Sequence, residues 1–305
     1  MDEITISAVA MECAHSKDVN LEKYRTFVAE AAASRVDYIV FPEVSVQGYL
    51  VSTGDRGSDA SRAQLEYYQE EAEPIPGPTT VVLQEMAEEH DMYIQAGMAE
   101  RAGPGHSILY NSAVLVGPEG IVGVFRKFHN QFEWPYFRAG NELPVFPTPL
   151  GTVGMFICYD LCFPEVPRAF AVQGAHIASL TTAWPVAGQT VAGDYWGYTY
   201  DVLGKAAAIA NQIWVVQSNQ VGRPQKEGAA TYYGHSRIIN PRGEVLADTG
   251  DREGMAIASC CIRGAIRDVR NQDYFGGLDL IRDRRPGDYG MLSQDFQRTD
   301  YRPNE

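Results

Sequence analysis

Two short stretches, Tyr38–Pro42 (YIVFP) and Met155–Cys158 (MFIC), carry no charged or strongly polar residue at any position. A strand with one wet face alternates apolar and polar side chains. A strand that is apolar throughout has to be covered on both faces. The chain therefore needs sheets that lie under helices. Further strand-like runs are Ile4–Met11, Asp37–Glu43, Met92–Gly97, Asn111–Val116, Ile121–Phe125, Val153–Cys158, His176–Leu180, Ile213–Ser218, Ser236–Ile239 and Met255–Ile262. Helical spacing lies between several of them. Asn20 opens one helix, with Leu21, Tyr24, Val28 and Ala31 on one side. Pro78 opens a second toward Met86, Pro164 a third through Val172, and Tyr195–Asn211 forms a fourth. A long loop is expected between the strand at Glu43 and the helix at Pro78. This order predicts an α/β protein with buried sheets.

With 305 residues and 45% hydrophobic content, the chain is long enough to bury a large core. Its 25 Lys and Arg against 39 Asp and Glu leave a net charge of −14. That excess of acid argues against nucleic acid as a partner and against a polybasic membrane contact. The longest apolar runs are far too short to span a bilayer. The acidic start Met1-Asp2-Glu3 does not read as a signal peptide. Five cysteines, two of them adjacent, do not make a disulfide framework. A soluble, reduced, cytoplasmic protein is expected. No linker divides the chain, so one domain should run to about residue 265.

Cys158 ends an apolar strand and precedes a turn into a helix. Backbone N–H groups and a positive helix end would there favour thiolate and receive an oxyanion, although a buried strand-end Cys is more often a small hydrophobe. A thiol that attacks an acyl carbon needs a base. The six histidines are scattered and none stands out, His129 included. A carboxylate is the alternative. Glu43 ends the run Ile39-Val40-Phe41-Pro42, where burial would raise its pKa and fit it to take a proton; the ordinary reading is a strand-end Glu turned to solvent. Lys127, in Phe125-Arg126-Lys127-Phe128-His129, would stabilise a thiolate and an oxyanion, or else be a surface charge. No CxxC pair or His/Cys spacing suggests zinc, and no phosphate loop is present.

Glu43 in Phe41-Pro42-Glu43, Lys127 in its run and Cys158 in Ile157-Cys158-Tyr159-Asp160 together resemble the nitrilase, or carbon–nitrogen hydrolase, superfamily, which carries Glu, Lys and Cys in this order. Trp184-Pro185, Ala208–Gln212 with Val216–Gly222, Gly234–Gly243 and Arg284-Arg285-Pro286 match further blocks of that family. The resemblance implies a four-layer α-β-β-α sandwich over residues 4–263. The C-terminal tail 264–305, apolar but broken by Gly276-Gly277, Pro286 and Gly287, is expected to pack on a partner subunit, the alternative being a tail folded back on its own subunit. The resemblance also implies a homodimer or larger homo-oligomer, and catalysis without metal or cofactor. Glu133, in Glu133-Trp134-Pro135-Tyr136-Phe137-Arg138-Ala139-Gly140, fits the family's second active-site carboxylate, with Glu142 the competitor. Tyr159 and Trp184 are expected to bind substrate or oxyanion.

Departures from the family pattern bear on the substrate. Dedicated nitrilases follow the nucleophile with Trp-Glu, whereas Tyr159-Asp160 resembles the amidase and carbamoylase branches. Relatives that act on carboxylate-bearing substrates place Arg a few residues after the Cys. Here Leu161 and Cys162 stand there, so a substrate carboxylate lacks its bidentate partner unless another Arg, such as Arg138, supplies it. The expected reaction is hydrolysis of a small neutral amide through a Cys thioester with release of ammonia, then of an N-carbamoyl compound, then of a nitrile. A non-catalytic scaffold of the same fold and a metal-dependent phosphodiesterase are the readings from other classes.

Overall fold

The computed structural model describes residues 3–49, 58–103, 105, 107–131, 133, 136–188, 192–222, 231–272 and 277–294. In chain order the strands are β1 (Glu3–Ala10), β2 (Tyr38–Val40), β3 (Tyr93–Arg101), β4 (Leu109–Gly117), β5 (Gly120–Arg126), β6 (Val145–Phe146), β7 (Val153–Ile157), β8 (Ile177–Thr182), β9 (Trp214–Asn219), β10 (Val221–Gly222), β11 (Tyr232–Tyr233), β12 (Arg237–Ile239), β13 (Val245–Asp248) and β14 (Gly254–Cys261). The helices are α1 (Lys17–Ala33), α2 (Asp59–Glu71), α3 (Pro78–His90), α4 (Glu165–Val172), α5 (Tyr195–Asn211) and α6 (Ile262–Arg270).

Two six-stranded sheets result, ordered β14-β1-β2-β3-β4-β5 and β13-β12-β9-β8-β7-β6. Each has a parallel centre, β1-β2-β3 in one and β7-β8-β9 in the other, flanked by antiparallel strands. Ile6, Ala8, Tyr38, Val40, Ala113 and Leu115 of the first sheet share one buried cluster with Met155, Leu180 and Val216 of the second. The alternate residues Val9, Ile39, Ile94 and Val114 pack beneath α1 and α3 through Tyr24, Val28, Leu83 and Met86. Phe170 of α4 and Ala208 of α5 cover the second sheet. Complete burial of such a large aliphatic or aromatic side chain stabilises by about 1.5–3 kcal/mol. The architecture is an α-β-β-α sandwich, the layering that the uniformly apolar strands require. No helix among the described residues is long and apolar enough to cross a membrane.

Three features differ from the sequence expectations. β2 ends at Val40; Phe41 N–H still donates to Gln95 O on β3 (2.9 Å), but Pro42 and Glu43 lie beyond the strand rather than in it. The expected long loop contains α2, whose N-terminus is capped by Ser58 Oγ accepting from Ser61 N–H (3.2 Å). The helix has few large apolar side chains, Leu65, Tyr67 and Tyr68, of which only Tyr68 is fully buried; packing of Tyr68 on Phe137 (4.9 Å between ring centroids) holds it in place. Beyond β14 the chain continues into α6, which buries Ile262, Ile266 and Val269. Residues 278–281 then return to their own chain. Gln212 Nε2 donates to Leu278 O (2.6 Å), Leu280 N–H donates to Gln212 Oε1 (2.9 Å), and Ile281 packs on the core. Of the apolar tail residues, Leu278, Tyr289, Met291 and Leu292 have exposed side chains, while Tyr274, Phe275 and Phe296 lie outside the described residues.

Candidate active site

The C-terminal ends of β2, β5, β7 and β8 converge, and the segments that leave them carry Glu43, Lys127, Cys158 and Trp184. In open parallel sheets this edge is where ligands bind, because side chains from several strands meet there without blocking one another. Glu43 N–H donates across the sheets to Thr182 O (3.3 Å), and Gln220 Nε2 donates to Glu43 O (2.9 Å). The Glu43 loop lies so close against β3 that a Cβ on Gly97 would sit 2.3 Å from Pro42 O and 2.8 Å from Glu43 Cα. Only glycine permits that approach. Lys127 is fixed by its own backbone, which donates to Asn111 O (2.8 Å) and accepts from Gly140 N–H (2.7 Å).

Lys127 Nζ stands 2.7 Å from Glu43 Oε1 and 2.6 Å from Glu133 Oε2. Asn111 Nδ2 donates to Glu43 Oε1 and to Glu133 Oε1, both at 2.7 Å. Ala183 N–H donates to Glu43 Oε2 (2.8 Å), and Tyr49 OH donates to Glu133 Oε1 (3.0 Å). Glu43, Glu133 and Lys127 are 0%, 1% and 2% exposed, so water screens none of these charges. Burial, opposed by Lys127 and reinforced by Glu133, leaves the Glu43 carboxyl above its ordinary value. Burial alone would lower Lys127, but Glu133 and Glu43 outweigh it and hold the ammonium well above its ordinary range.

Cys158 opens a 3-10 turn, Cys158–Cys162, with φ at +47°. A non-glycine residue in the left-handed region costs on the order of 1–3 kcal/mol and is kept where surrounding contacts enforce it. The enforcing group is Asp160, whose buried carboxylate accepts from Ile157 N–H (3.1 Å) and from His129 N–H and Nδ1 (both 2.8 Å). The expectation of a depressed thiol pKa is not met. Burial first, and then the Glu43 carboxylate, push the Cys158 thiol well above its ordinary value, with Lys127 only partly opposing. The helix proper begins at Glu165, too far along the chain for its positive end to act on Cys158.

Cys158, Lys127 and Glu133 share a cavity of about 290 Å³ with Tyr49, Tyr159, Trp184, Trp196 and Tyr232. A larger groove of about 420 Å³ lies between α4, α5 and Arg284–Leu292, and neither Cys158 nor Lys127 lines it. Of the residues singled out in the sequence, Lys127, Glu133 and Cys158 line this cavity, Tyr159 and Trp184 form part of its wall, and Glu43 is fully buried against Lys127 without lining it. Glu142 is exposed, on the far side of Arg126. Arg138 is also exposed and does not line the cavity. His129 turns its ring to Asp160 and stacks on Phe163 at 3.7 Å. Cys162 is half-buried against the core, and burial raises its thiol to about 11. Trp134 and Pro135 lie outside the described residues.

Sequence reasoning missed Asn111, Tyr49 and the role of Asp160. Asn111 left one signal, an amide within β4, where strands disfavour it. Tyr49 left none. Among the described residues no group of three or more His, Cys, Asp or Glu is gathered as a metal ion would require.

The carbon–nitrogen hydrolase family model matches residues 5–268. The chain is 30% identical to an N-carbamoylputrescine amidase of Solanum lycopersicum over 95% of its own length and 94% of that protein's. It is 29% identical to the omega-amidase NIT2 of Danio rerio, over 96% and 99% of the two chains. The crystal structure of a carbon–nitrogen hydrolase from Helicobacter pylori G27 shares the fold, with a TM-score of 0.81 at 22% identity over 96% of this chain and 99% of that one. With its family, its fold and the convergent Glu, Lys and Cys side chains in agreement, the chain belongs to the carbon–nitrogen hydrolase family and is an enzyme of the amidase type.

Proposed function

We propose that the enzyme hydrolyses small neutral amides, releasing ammonia by way of a thioester on Cys158. The observation that carries this reading is that Lys127, the only cation lining the cavity among the described residues, is already held between Glu43 and Glu133. Two carboxylates against one ammonium make the site poorly suited to a substrate carboxylate.

Cys158 Sγ attacks the amide carbon while Glu43 takes the thiol proton. Lys127 and the Tyr159 backbone N–H stabilise the oxyanion that forms. Collapse breaks the C–N bond, and Glu43 returns its proton to the departing amine, which leaves as ammonia. Glu43 then takes a proton from water as the water oxygen attacks the thioester carbon; collapse breaks the C–S bond, Glu43 returns that proton to Sγ, and the carboxylic acid departs from the restored thiol. The raised Glu43 and the raised Cys158 thiol suit this sequence, in which the proton moves as the S–C bond forms. Glu133 orients Lys127 and, through Asn111, Glu43.

A panel of neutral amides, N-carbamoyl amines, N-carbamoyl amino acids and nitriles, assayed for released ammonia, tests the proposal. Neutral amides should give the highest kcat/KM. A maximum for an N-carbamoyl amino acid would require a carboxylate site elsewhere, and a maximum for an N-carbamoyl amine would make the carbamoyl group the substrate.

A further inference from the structure

The wall of the cavity that follows β8 offers a substrate almost no polar contact. Ala183 N–H donates to Glu43, Trp184 N–H to Asn219 Oδ1 (2.7 Å) and Val186 N–H to Thr231 O (2.9 Å), while Pro185 has no N–H to give. The N–H groups of Ala187 and Gly188 both go to the Asp194 carboxylate, which also accepts from Gly197 N–H at the start of α5. The indole of Trp184 donates inward to Trp196 O (2.9 Å), with the two rings edge to face at 5.4 Å. Every backbone donor from Ala183 to Gly188 is therefore engaged within the protein. What remains toward the cavity is the hydrocarbon and ring surface of Trp184, Pro185, Val186 and Trp196. The same hydrogen bonds fix that surface before any substrate arrives, so little ordering cost is left for binding.

From this geometry we infer that the cavity selects amides whose acyl group is apolar and as bulky as a phenyl ring, with Trp196 as a specificity-determining residue. The inference rests on the amide reading above. Along this wall recognition is by desolvation, the polar lining residues Gln131, Tyr49, Tyr159 and Tyr232 coming from other segments. A carboxylate on the acyl chain would lose its water against a wall that has no donor to replace it, and would face two carboxylates at the far side. A volume of about 290 Å³ leaves room for a ring beyond the reacting carbonyl.

The test measures kcat/KM for acetamide, butyramide, hexanamide and phenylacetamide, with succinamate as the anionic counterpart of butyramide. Efficiency should rise roughly threefold per methylene, phenylacetamide should exceed acetamide by about 10²-fold, and succinamate should fall at least tenfold below butyramide. Trp196→Ala should reduce the phenylacetamide-to-acetamide ratio at least tenfold, and Val186→Ala should shift it in the same direction if the first variant folds poorly. Protection of Cys158 from iodoacetamide, followed by mass spectrometry, gives a readout that needs no turnover. Phenylacetamide should protect at concentrations where succinamate does not. A flat amide series with equal protection by the two compounds would overturn the inference. Selective protection by phenylacetamide without amide turnover would uphold the apolar pocket and discard the amide reading instead.

Discussion

The carboxylate of Asp160 and the ring of His129 meet at 2.8 Å, and the contact joins the turn that carries Cys158 to the strand end that carries Lys127. An ionised carboxylate only accepts, so His129 Nδ1 is the donor. Asp160→Asn replaces an acceptor that takes up N–H groups from Ile157 and His129 with an amide that cannot satisfy them all. Stability should drop by about 2–3 kcal/mol, and kcat should fall at least ~10-fold while KM changes less, because Cys158 and Lys127 lose register. His129→Phe, which keeps a ring over Phe163, should show a smaller loss. Thermal melting and steady-state kinetics on both variants check this. Unchanged kcat in Asp160→Asn would remove Asp160 from any positioning role.

Cys158→Ala should abolish turnover and still melt cooperatively, since the change removes one sulfur from a preformed turn. Cys162→Ala should retain substantial activity, because that thiol packs on the core rather than lining the cavity. A reversal of the two results would mean that the nucleophile has been misassigned.

Glu43→Gln should slow turnover by at least ~10²-fold, since it removes both the thiol's base and the proton donor to the amine. Glu133→Gln should also reduce activity, through the orientation of Lys127 and the substrate. Near-normal rates for Glu43→Gln would sink the proposed proton path.

The pH profile follows from the same carboxylate. Glu43 must be ionised to accept the thiol proton, and its pKa lies above the ordinary 4.5. As pH falls, kcat/KM should therefore decline in a limb centred above 4.5. Lys127 is held well above 10.5 and does not set the basic limb. The residual activity of Glu43→Gln should lack the acid limb, and a limb that persists unchanged in that variant would have to come from another group.

We propose that the enzyme is a homodimer or larger assembly. Tyr289, Met291 and Leu292 are 39%, 66% and 69% exposed beside the groove between α4 and α5, and Tyr195 and Tyr198 of α5 are 70% and 67% exposed. Truncation after Asp283 spares the contacts of Leu278 and Leu280 with Gln212 but removes the exposed tail. Analytical ultracentrifugation should show fewer subunits per particle. An unchanged subunit number would exclude the tail from the interface.

The element order was legible wherever local pattern and burial agree. β7 is apolar throughout and the structure covers it on both faces; Tyr195–Asn211 is α5 to the residue. α2 was hidden because its helicity depends on packing Tyr68 against Phe137, a partner far along the chain. α6 did carry a local signal, with Ile262, Ile266 and Val269 at four- and three-residue spacing, but the strand-like run that ends at Ile262 overlaps its first turn and concealed it. Glu43, Lys127 and Cys158 were visible because each sits just beyond a recognisable strand, where a polar or reactive group is unusual.

By itself the sequence determined the layered α/β class, the positions of those three side chains at strand ends, and the absence of an Arg just after the nucleophile. All are properties of local spacing and residue type. Only the tertiary structure decided between Glu133 and Glu142, brought Asn111 to both carboxylates and turned His129 away from Cys158 to Asp160. It also decided that burial and the Glu43 carboxylate raise the Cys158 thiol instead of lowering it. Each of these depends on distances between segments remote in the chain and on the loss of water around them. Charge and burial act through space, so the spacing of residues along one strand could not reveal them.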